Sequence, residues 1–303
     1  MIIHADVNKL SPICSAGKAL TLGDGSKWAI AAGDAGASPL ASSLYETMQT
    51  GEENESLHRL LLFIEKSAYR QIKDCPDADI AGFNLRTGWL SPREKIVLDS
   101  EEQPALACLI PEQLPLDRQL MRATRHICLQ SQANGGLLVH GALAERDGCG
   151  VILAGPWGVG KSTASGRFTP PWRSLCDDLT LVVRDEAGRY RAHPWPTWSR
   201  FANGGPGGSW DVSRSVPLKG VFFLHQACVD RIRPVNCNEA VGLLAETVKQ
   251  AEWRLFERLE VRQSGRVERF NNIYNLVKQV PSFFLEMSLS GNFWEEIEQA
   301  IDG

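Results

Sequence analysis

The sequence predicts an α/β protein, with an N-terminal α/β segment in residues 1–115 and a larger α/β domain in residues 116–303. Three observations support this prediction. Short apolar runs alternate with amphipathic helical stripes, as expected for mixed layers of strands and helices. A length of 303 residues leaves room for one large or two modest domains. The pattern of the chain also changes near Pro115, after which glycines separate the apolar runs.

The bulk composition is that of a soluble globular protein. Hydrophobic residues make up 43% of the chain and charged residues 22%, both close to the averages of soluble domains. No apolar run approaches the roughly 20 residues that span a bilayer, and the start MIIHADVNKL lacks the basic segment of a signal peptide. We therefore expect a cytoplasmic protein that does not bind a membrane.

Charge and cysteine usage argue against a nucleic-acid-binding protein, a zinc protein and a disulfide-stabilised protein. A net charge of −4 opposes broad nucleic-acid binding, which usually shows as a basic domain or stripe. The eight cysteines are scattered without any C-x-x-C pair, so neither a zinc site nor a disulfide framework is expected. The sequence does not decide the oligomeric state and is compatible with a homo-oligomer.

Hydrophobic spacing predicts the elements of both parts of the chain. In the N-terminal segment, apolar residues at three- and four-residue intervals predict a helix over residues 56–71. In the C-terminal domain the same periodicity predicts helices at residues 116–132, 239–261 and 293–301. Short apolar runs predict strands at residues 137–139, 151–154, 179–183, 221–224 and 282–287.

The segment from Gly155 to Ser162 matches the phosphate-binding pattern G-x-x-x-x-G-K-[ST] at every fixed position. In such a loop, glycines at Gly155, Gly158 and Gly160 let backbone N–H groups turn toward phosphate oxygens. A lysine at this position neutralises the phosphates, and the serine hydroxyl is a magnesium ligand. The sequence therefore predicts binding of ATP with Mg²⁺. The residues expected to contact the nucleotide are Gly155, Gly158, Val159, Gly160, Lys161, Ser162 and Thr163.

Asp177 and Asp178 place two adjacent carboxylates after a short candidate strand that follows the glycine segment. Ligands of open α/β sheets bind at the carboxyl ends of strands, so this pair is expected near the bound phosphates. One acid is then suited to hold Mg²⁺ and the other to accept a proton from an attacking hydroxyl. A solvated Asp-Asp turn is the alternative interpretation.

Asp147-Gly148 is typical of a hairpin turn between the strands at residues 137–139 and 151–154. If the turn is centred between Arg146 and Asp147, His140 lies opposite Leu153, two residues before the glycine segment. His140 would then stand beside the active centre. The alternative is an ordinary hydrogen-bonded core histidine.

His140-Gly141, the segment Gly155 to Ser162, and Asp177-Asp178 follow one another in an order that resembles the catalytic domain of the bacterial HPr kinase/phosphorylase family. The resemblance covers residues 126–230. It implies a PEP carboxykinase-like P-loop nucleotide-binding domain, with the histidine beside the reacting phosphate. It also implies catalytic roles for His140 and Lys161, with Asp177 as the general base and Asp178 as the metal partner beside Ser162.

The chain departs from that family after the acid pair. The signature E-I-R-G-x-G, which helps the family to recognise HPr, has no counterpart, so HPr is not the expected substrate. The chain is more similar to the HPr kinase-related proteins of peptide-modification cassettes, and most of all to the SynChlorMet cassette proteins. This resemblance implies a hydroxyl acceptor, most simply a serine, in a peptide or protein substrate.

A stretch rich in tryptophan and glycine replaces that signature, from Trp195 to Trp210. Aromatic faces, mobile glycines and Arg200 suit a loop that binds the substrate or the nucleotide base. The alternative is a structured loop whose tryptophans pack on the core.

Two functions remain open from the sequence. The first is a phosphotransferase, an HPr kinase-related serine kinase that transfers the γ-phosphate of ATP to a hydroxyl. The second is an ATP-binding scaffold or partner protein of a peptide-modification complex with little or no kinase activity. The acid pair and His140 favour the first function, whereas the missing glutamate signature favours the second.

Overall fold

The structure is a computed structural model that describes residues 18–32, 35–52, 59–63, 79–80, 83–91, 94–99, 106–109, 115–255 and 265–302. The chain divides into two compact units, each drawn from separate stretches. The first comprises residues 1–21, 26–126 and 198–209, and the second comprises residues 22–25, 127–197 and 210–303. No helix in the described ranges is long and apolar enough to cross a membrane. The boundary predicted between residues 115 and 116 stays a prediction.

The described helices occur in both units. They are α1 Ser38–Met48, α2 Leu116–Ala133, α3 Lys161–Arg167, α4 Cys237–Leu255, α5 Arg266–Gln279 and α6 Phe293–Asp302, with a 3-10 helix at Trp198–Gly204. Helices α2 and α6 confirm the predictions at residues 116–132 and 293–301. Helix α4 confirms the prediction at residues 239–261 as far as residue 255, since residues 256–261 lie outside the described part.

The first unit contains a mixed eight-stranded sheet in the order β3-β1-β2-β4-β8-β7-β6-β5. Its strands are β1 Lys18–Thr21, β2 Lys27–Ala32, β3 Gly51–Glu52, β4 Arg59–Phe63, β5 Asp79–Ile80, β6 Phe83–Ser91, β7 Glu94–Asp99 and β8 Leu106–Leu109. Helix α1 buries Leu40, Leu44 and Met48 on one face, at the four-residue spacing of a helix that packs on a sheet.

The prediction of a helix over residues 56–71 is wrong for its central residues. Residues 59–63 form strand β4, which lies between β2 and β8 and pairs in parallel with both. An interior strand of a parallel sheet has a continuous apolar run, and such a run also contains the three- and four-residue spacings of a helix. The remaining residues of the predicted helix, 56–58 and 64–71, lie outside the described residues.

The second unit is built on another eight-stranded mixed sheet, in the order β10-β9-β12-β13-β14-β16-β15, with β11 paired to β9 and β10 paired also to β14. The strands are β9 Leu137–Arg146, β10 Cys149–Ala154, β11 Arg173–Cys176, β12 Leu179–Arg184, β13 Tyr190–Trp195, β14 Val216–Gln226, β15 Arg231–Pro234 and β16 Ser282–Met287. All five strands predicted for this part of the chain are confirmed. The mixed α/β class predicted from the sequence is confirmed with them.

The burial pattern along β14 depends on which strands pair with it. From Val216 to Gly220 buried and exposed residues alternate, and from Val221 to Leu224 every residue is buried. The alternating half has one open face, whereas the continuous half pairs in parallel with β10 on one side and β16 on the other. Strand β14 therefore anchors β10, whose carboxyl end begins the glycine segment.

The core of the second unit lies between this sheet and helix α6. Buried side chains from the central strands, including Leu153, Phe222 and Leu285, pack with Phe293 and Ile297 of α6. Helix α4 also packs against β9. The sheet thus fixes the position of β9 and β10, the two strands that carry the predicted site.

The hairpin between β9 and β10 has the predicted Asp-Gly turn in a different register. Arg146 pairs with Cys149, so Asp147 and Gly148 form a two-residue loop with φ of 52° and 76°. Two consecutive positive φ values are typical of a type I′ turn, the form that matches the twist of a hairpin. The partner of Leu153 is consequently Ala142, and the predicted pairing of His140 with Leu153 is wrong by two residues.

Candidate functional site

The glycine segment joins β10 to α3 and turns sharply at its glycines. Gly158 has φ of 78° and Gly160 has φ of 106°, a region that residues with a Cβ atom rarely adopt. A Cβ atom added to Gly158 would meet no other atom within 4 Å, so backbone conformation is what requires glycine there. At the two fixed glycines of the pattern G-x-x-x-x-G-K-S, φ is 150° at Gly155 and 106° at Gly160, so the backbone favours glycine at both positions.

Side chains on both sides stabilise the glycine segment. Lys161 is 6% exposed, and its Nζ donates hydrogen bonds to the carbonyl oxygens of Gly155 at 2.9 Å and Pro156 at 3.0 Å. Gln226, the last residue of β14, donates from Nε2 to the carbonyl oxygens of Gly158 at 3.4 Å and Val159 at 3.3 Å. The ammonium group thus lies inside the curve of the segment, where its charge attracts an anion.

The remaining residues of the segment differ in exposure. Ser162 and Thr163 are exposed in the first turn of α3, and Val159 packs against the core. Trp157 is 61% exposed. The predicted contact residues are thus contiguous, with polar side chains accessible on α3 and a large aromatic ring exposed in the middle of the segment.

His140 lies close to the glycine segment. Its ring centroid is 6.2 Å from that of Trp157, in an edge-to-face arrangement with an interplanar angle of 73°. The Nε2 atom of His140 lies 3.1 Å from Oδ1 of Asp178. Both residues are buried, at 3% and 9% exposure. The structure therefore brings His140, Asp178 and the glycine segment together, although these parts are separated in the sequence.

The two aspartates have different partners. They occupy the bend between β11 and β12, two strands that pair with successive stretches of β9. Asp178 contacts His140, whereas the half-buried Asp177 accepts a hydrogen bond of 2.7 Å from Oγ1 of Thr197. The solvated-turn interpretation does not describe Asp178, because that residue is buried against an imidazole.

Neighbouring residues hold this bend in place. Burial raises the pKa of Cys176 to about 11, so its thiol is neutral and donates to the carbonyl oxygen of Leu179 at 2.9 Å. Thr180 donates from Oγ1 to the carbonyl oxygen of Gly141 at 2.8 Å. The bend therefore keeps both carboxylates on a short, tightly connected stretch of backbone.

Two residues of helix α4 complete the environment of His140. Oε1 of Gln250 lies 2.7 Å from Nδ1 of His140, and Nε2 of Gln250 donates to Oε1 of Glu246 at 3.3 Å. Sequence reasoning missed both residues. Gln250 is 110 positions from His140, and a glutamine on a helix with many polar residues carries no motif that would single it out.

The stretch from Trp195 to Trp210 differs from its prediction. Trp195, Trp198 and Trp210 are 0%, 3% and 6% exposed, so their rings are part of the protein interior. The prediction that these rings offer open faces for stacking is wrong, and the alternative of tryptophans packed in the core describes them. Arg200 is exposed.

The donor set near the glycine segment fits a nucleotide with its metal ion. Lys161 and the backbone of the segment suit phosphate oxygens, and Ser162 with an aspartate supplies oxygen ligands of the kind that Mg²⁺ prefers. Among the described residues, no group of three or more His, Cys, Asp or Glu side chains is arranged to hold a metal ion. Magnesium is commonly bound through one or two carboxylates together with phosphate oxygens, so this sparse set is compatible with it.

Comparison with known protein families places most of the C-terminal part of the chain in one family model. The family model of the SynChlorMet cassette protein ScmC matches residues 106–302, a stretch that includes the glycine segment, His140, both aspartates and Gln250. No curated protein matches the chain. Because the matched stretch is well over half of the chain, the protein belongs to the ScmC family.

Proposed function

We propose that the protein is an ATP-dependent kinase, which binds ATP with Mg²⁺ at the glycine segment and transfers the γ-phosphate to a hydroxyl. The observation that carries this proposal is the contact of a buried carboxylate–imidazole pair, Asp178 and His140, with the glycine segment through Trp157. A protein that only binds a nucleotide needs the glycine segment, whereas phosphoryl transfer also needs a proton acceptor beside it.

The nucleotide part of the proposal rests on the segment and Lys161. Backbone N–H groups between Gly155 and Lys161 bind phosphate oxygens, and Lys161 exchanges its two carbonyl partners for the β- and γ-phosphates. Ser162 and one of the aspartates would hold Mg²⁺, which would neutralise charge that develops on the phosphates during transfer. This arrangement is the HPr kinase-like, PEP carboxykinase-like P-loop site that we include in the proposal.

The roles of the two acids are part of the proposal. The resemblance implied that Asp177 is the general base and Asp178 the metal partner, and that assignment stays a prediction. The contacts favour the reverse, because Asp178 is the acid that His140 orients beside the glycine segment. A carboxylate oriented by a second side chain matches the usual geometry of a general base. Asp177, half-buried and hydrogen-bonded to Thr197, is then the metal partner.

The family supports a proposal for the phosphate acceptor. The name of the ScmC family refers to a gene cassette, and its resemblance to HPr kinase-related proteins of peptide-modification cassettes favours a serine of a peptide or protein. The exposed ring of Trp157, beside His140, is a suitable apolar surface for the peptide next to that serine.

A transfer assay tests the proposal. The protein is incubated with γ-labelled ATP, Mg²⁺ and a set of serine-containing peptides, and ATP binding is measured separately by calorimetry. We expect transfer by the wild type and a loss of about 10²- to 10⁴-fold in Asp178→Asn with ATP binding retained. Asp177→Asn should weaken binding that depends on Mg²⁺. Asp147→Asn, the same change in an exposed turn, is the control.

Two outcomes would contradict parts of this proposal. If Asp177→Asn loses transfer and Asp178→Asn loses Mg²⁺-dependent binding, the acid roles are the ones that the resemblance implied. If the wild type binds ATP but labels no peptide or small hydroxyl compound, and both variants behave like it, the protein is an ATP-binding partner of a peptide-modification complex.

A further inference from the structure

Three strands of the second sheet run parallel and end at the same edge. Strand β14 pairs in parallel with β10 and with β16. The loops that follow them are therefore neighbours, namely the glycine segment after β10, residues 227–230 after β14 and residues 288–292 after β16. A Cβ atom added to Gly160 would lie 3.6 Å from Cε of Met287, the last residue of β16. Because ligands of open α/β sheets bind at such carboxyl ends, a molecule held by the glycine segment can reach both later loops.

The two sides of the glycine segment face different parts of the sheet. Strands β9 and β14 pair with opposite edges of β10. His140 of β9 contacts Asp178 and Trp157, so the γ-phosphate of the proposed reaction faces the β9 side. The base, at the other end of the nucleotide, then has the loops after β14 and β16 available. Strand β16 lies two strand spacings, about 10 Å, from β10, a separation comparable with that between a nucleotide base and its terminal phosphates.

Each of these three loops exposes one large apolar side chain. Among the described residues eight large apolar side chains are exposed, and three of them are Trp157, Val229 and Leu289, at 61%, 65% and 85%. The other five all lie on helices. Exposed apolar side chains that are grouped around one edge are typical of a ligand-binding surface. Trp157 belongs to the site described above, which leaves Val229 and Leu289 without an assigned role.

The loops after β14 and β16 hold each other in place. Oδ1 of Asp230 accepts a hydrogen bond of 2.5 Å from the backbone N–H of Ser288. Arg167, at the end of helix α3, donates to the carbonyl oxygen of Ser288 at 2.6 Å and to that of Gly291. The loop after β16 is thus tied to the helix that follows the glycine segment. Leu289 therefore occupies a fixed place at this edge before any ligand binds.

We propose that the loops after β14 and β16 form the subsite for the base of the nucleotide, with Val229 and Leu289 packed against its flat face. Apolar side chains are a usual stacking surface for a nucleotide base. Covering them removes apolar surface from water, which stabilises the bound ligand. This inference rests on the proposed binding of ATP at the glycine segment and adds the residues that hold the other end of the ligand.

Calorimetric titration with ATP and with inorganic triphosphate separates base contacts from phosphate contacts, because triphosphate lacks the base. We expect Leu289→Ser and Val229→Ser each to weaken ATP binding by about 5- to 20-fold, the effect of removing one apolar side chain that a ligand buries. Triphosphate binding should stay unchanged in both variants, whereas Lys161→Ala should weaken binding of both ligands. Val267→Ser, the same type of change at a side chain 75% exposed on helix α5, is the control and should change neither affinity.

Thiol alkylation locates the base without any substitution. Cys228 is exposed in the loop after β14, next to Val229. Cys237 is also exposed, and it follows β15, which runs antiparallel to β16 and so leads to the opposite end of the sheet. The protein is treated with N-ethylmaleimide with and without ligand, and the modification of each cysteine is read from peptide masses. We expect saturating ATP to slow the modification of Cys228 several-fold and to leave Cys237 unaffected, whereas triphosphate should protect neither.

The outcomes separate this inference from the proposed function. If Leu289→Ser and Val229→Ser bind ATP as tightly as the wild type, or lose affinity for ATP and triphosphate equally, the base subsite is wrong and the kinase proposal is unaffected. Protection of Cys228 by a serine peptide but not by ATP would also overturn it. If the wild type binds neither ATP nor triphosphate, the inference and the proposed function are both wrong. If the expected affinities are found and no phosphate is transferred, the subsite stands and the kinase proposal fails.

Discussion

We predict that acidification below pH 6.5 destabilises the second unit through the buried imidazole of His193. This residue is 0% exposed. Its Nε2 accepts a hydrogen bond of 2.9 Å from the backbone N–H of Gly23, and its Nδ1–H donates to the carbonyl oxygen of Val212 at 2.7 Å. Burial lowers the pKa of His193 from 6.5 to about 4, because an imidazolium ion there would lose its hydration. Between pH 6.5 and about 4, His193 therefore binds a proton in the unfolded chain but stays neutral in the folded protein.

The size of the effect follows from this difference in pKa. A base whose pKa is lowered on folding stabilises the protein fully above its unfolded pKa of 6.5, and this stability is lost as the pH falls toward about 4. One pKa unit corresponds to about 1.36 kcal/mol, so the loss is about 2 kcal/mol at pH 5 and about 3.4 kcal/mol in full. His126, the last residue of the 26–126 stretch of the first unit, has a pKa that burial lowers to about 3, so it contributes to the stability of that unit with the same sign.

Urea unfolding of the wild type and His193→Gln, followed by tryptophan fluorescence, measures this contribution. Glutamine does not titrate, and its amide oxygen can still accept a hydrogen bond from Gly23. Between pH 7 and pH 5 we expect the unfolding free energy of the wild type to fall by about 2 kcal/mol more than that of the variant. The His126 contribution is common to both proteins and cancels. Equal losses in the two proteins would refute the reasoning.

The remaining predictions each concern a single residue. Lys161→Ala should weaken ATP binding by about 10- to 100-fold in calorimetry, because a charge-assisted contact is lost. An unchanged affinity would contradict the assignment of the nucleotide site to the glycine segment. Gly148→Ala should lower the unfolding free energy by about 1 kcal/mol, since φ there is 76°. Gly242→Ala, inside helix α4 with open space around it, should instead raise it by about 0.5–1 kcal/mol. Trp172→Ala should cost about 3–5 kcal/mol in urea unfolding, because a buried ring and its bond to Glu298 are removed.

Local patterns predicted most elements of the second unit. The Asp147-Gly148 turn, the strand before the glycine segment and the helical stripe of α4 each depend on residues close together in sequence. The register of the hairpin was missed because Asp-Gly marks the turn without fixing its centre. Strand β4 was missed because its neighbours β2 and β8 are distant in sequence, and only that pairing distinguishes an interior strand from a helix.

The candidate site was predicted only in part, because some of its contacts join residues that are distant in sequence. The glycine segment and the acid pair are contiguous motifs, so their residue types were evident. The contacts of His140 with Asp178 and Gln250 join β9, the bend before β12 and helix α4, and tertiary packing alone brings them together. The burial of Trp195 also depends on packing, since the same ring suits either a binding loop or the interior.

The most direct test of the central claim is a crystal structure of the protein with Mg²⁺ and a non-hydrolysable ATP analogue. We predict that the triphosphate lies along the glycine segment, with Lys161 Nζ in hydrogen-bond contact with its β- and γ-phosphates and the Asp178 carboxylate facing the γ-phosphate from beside His140. Binding of the analogue elsewhere would contradict the account. So would a γ-phosphate more than about 10 Å from Asp178, too far for a hydroxyl between them to give up its proton.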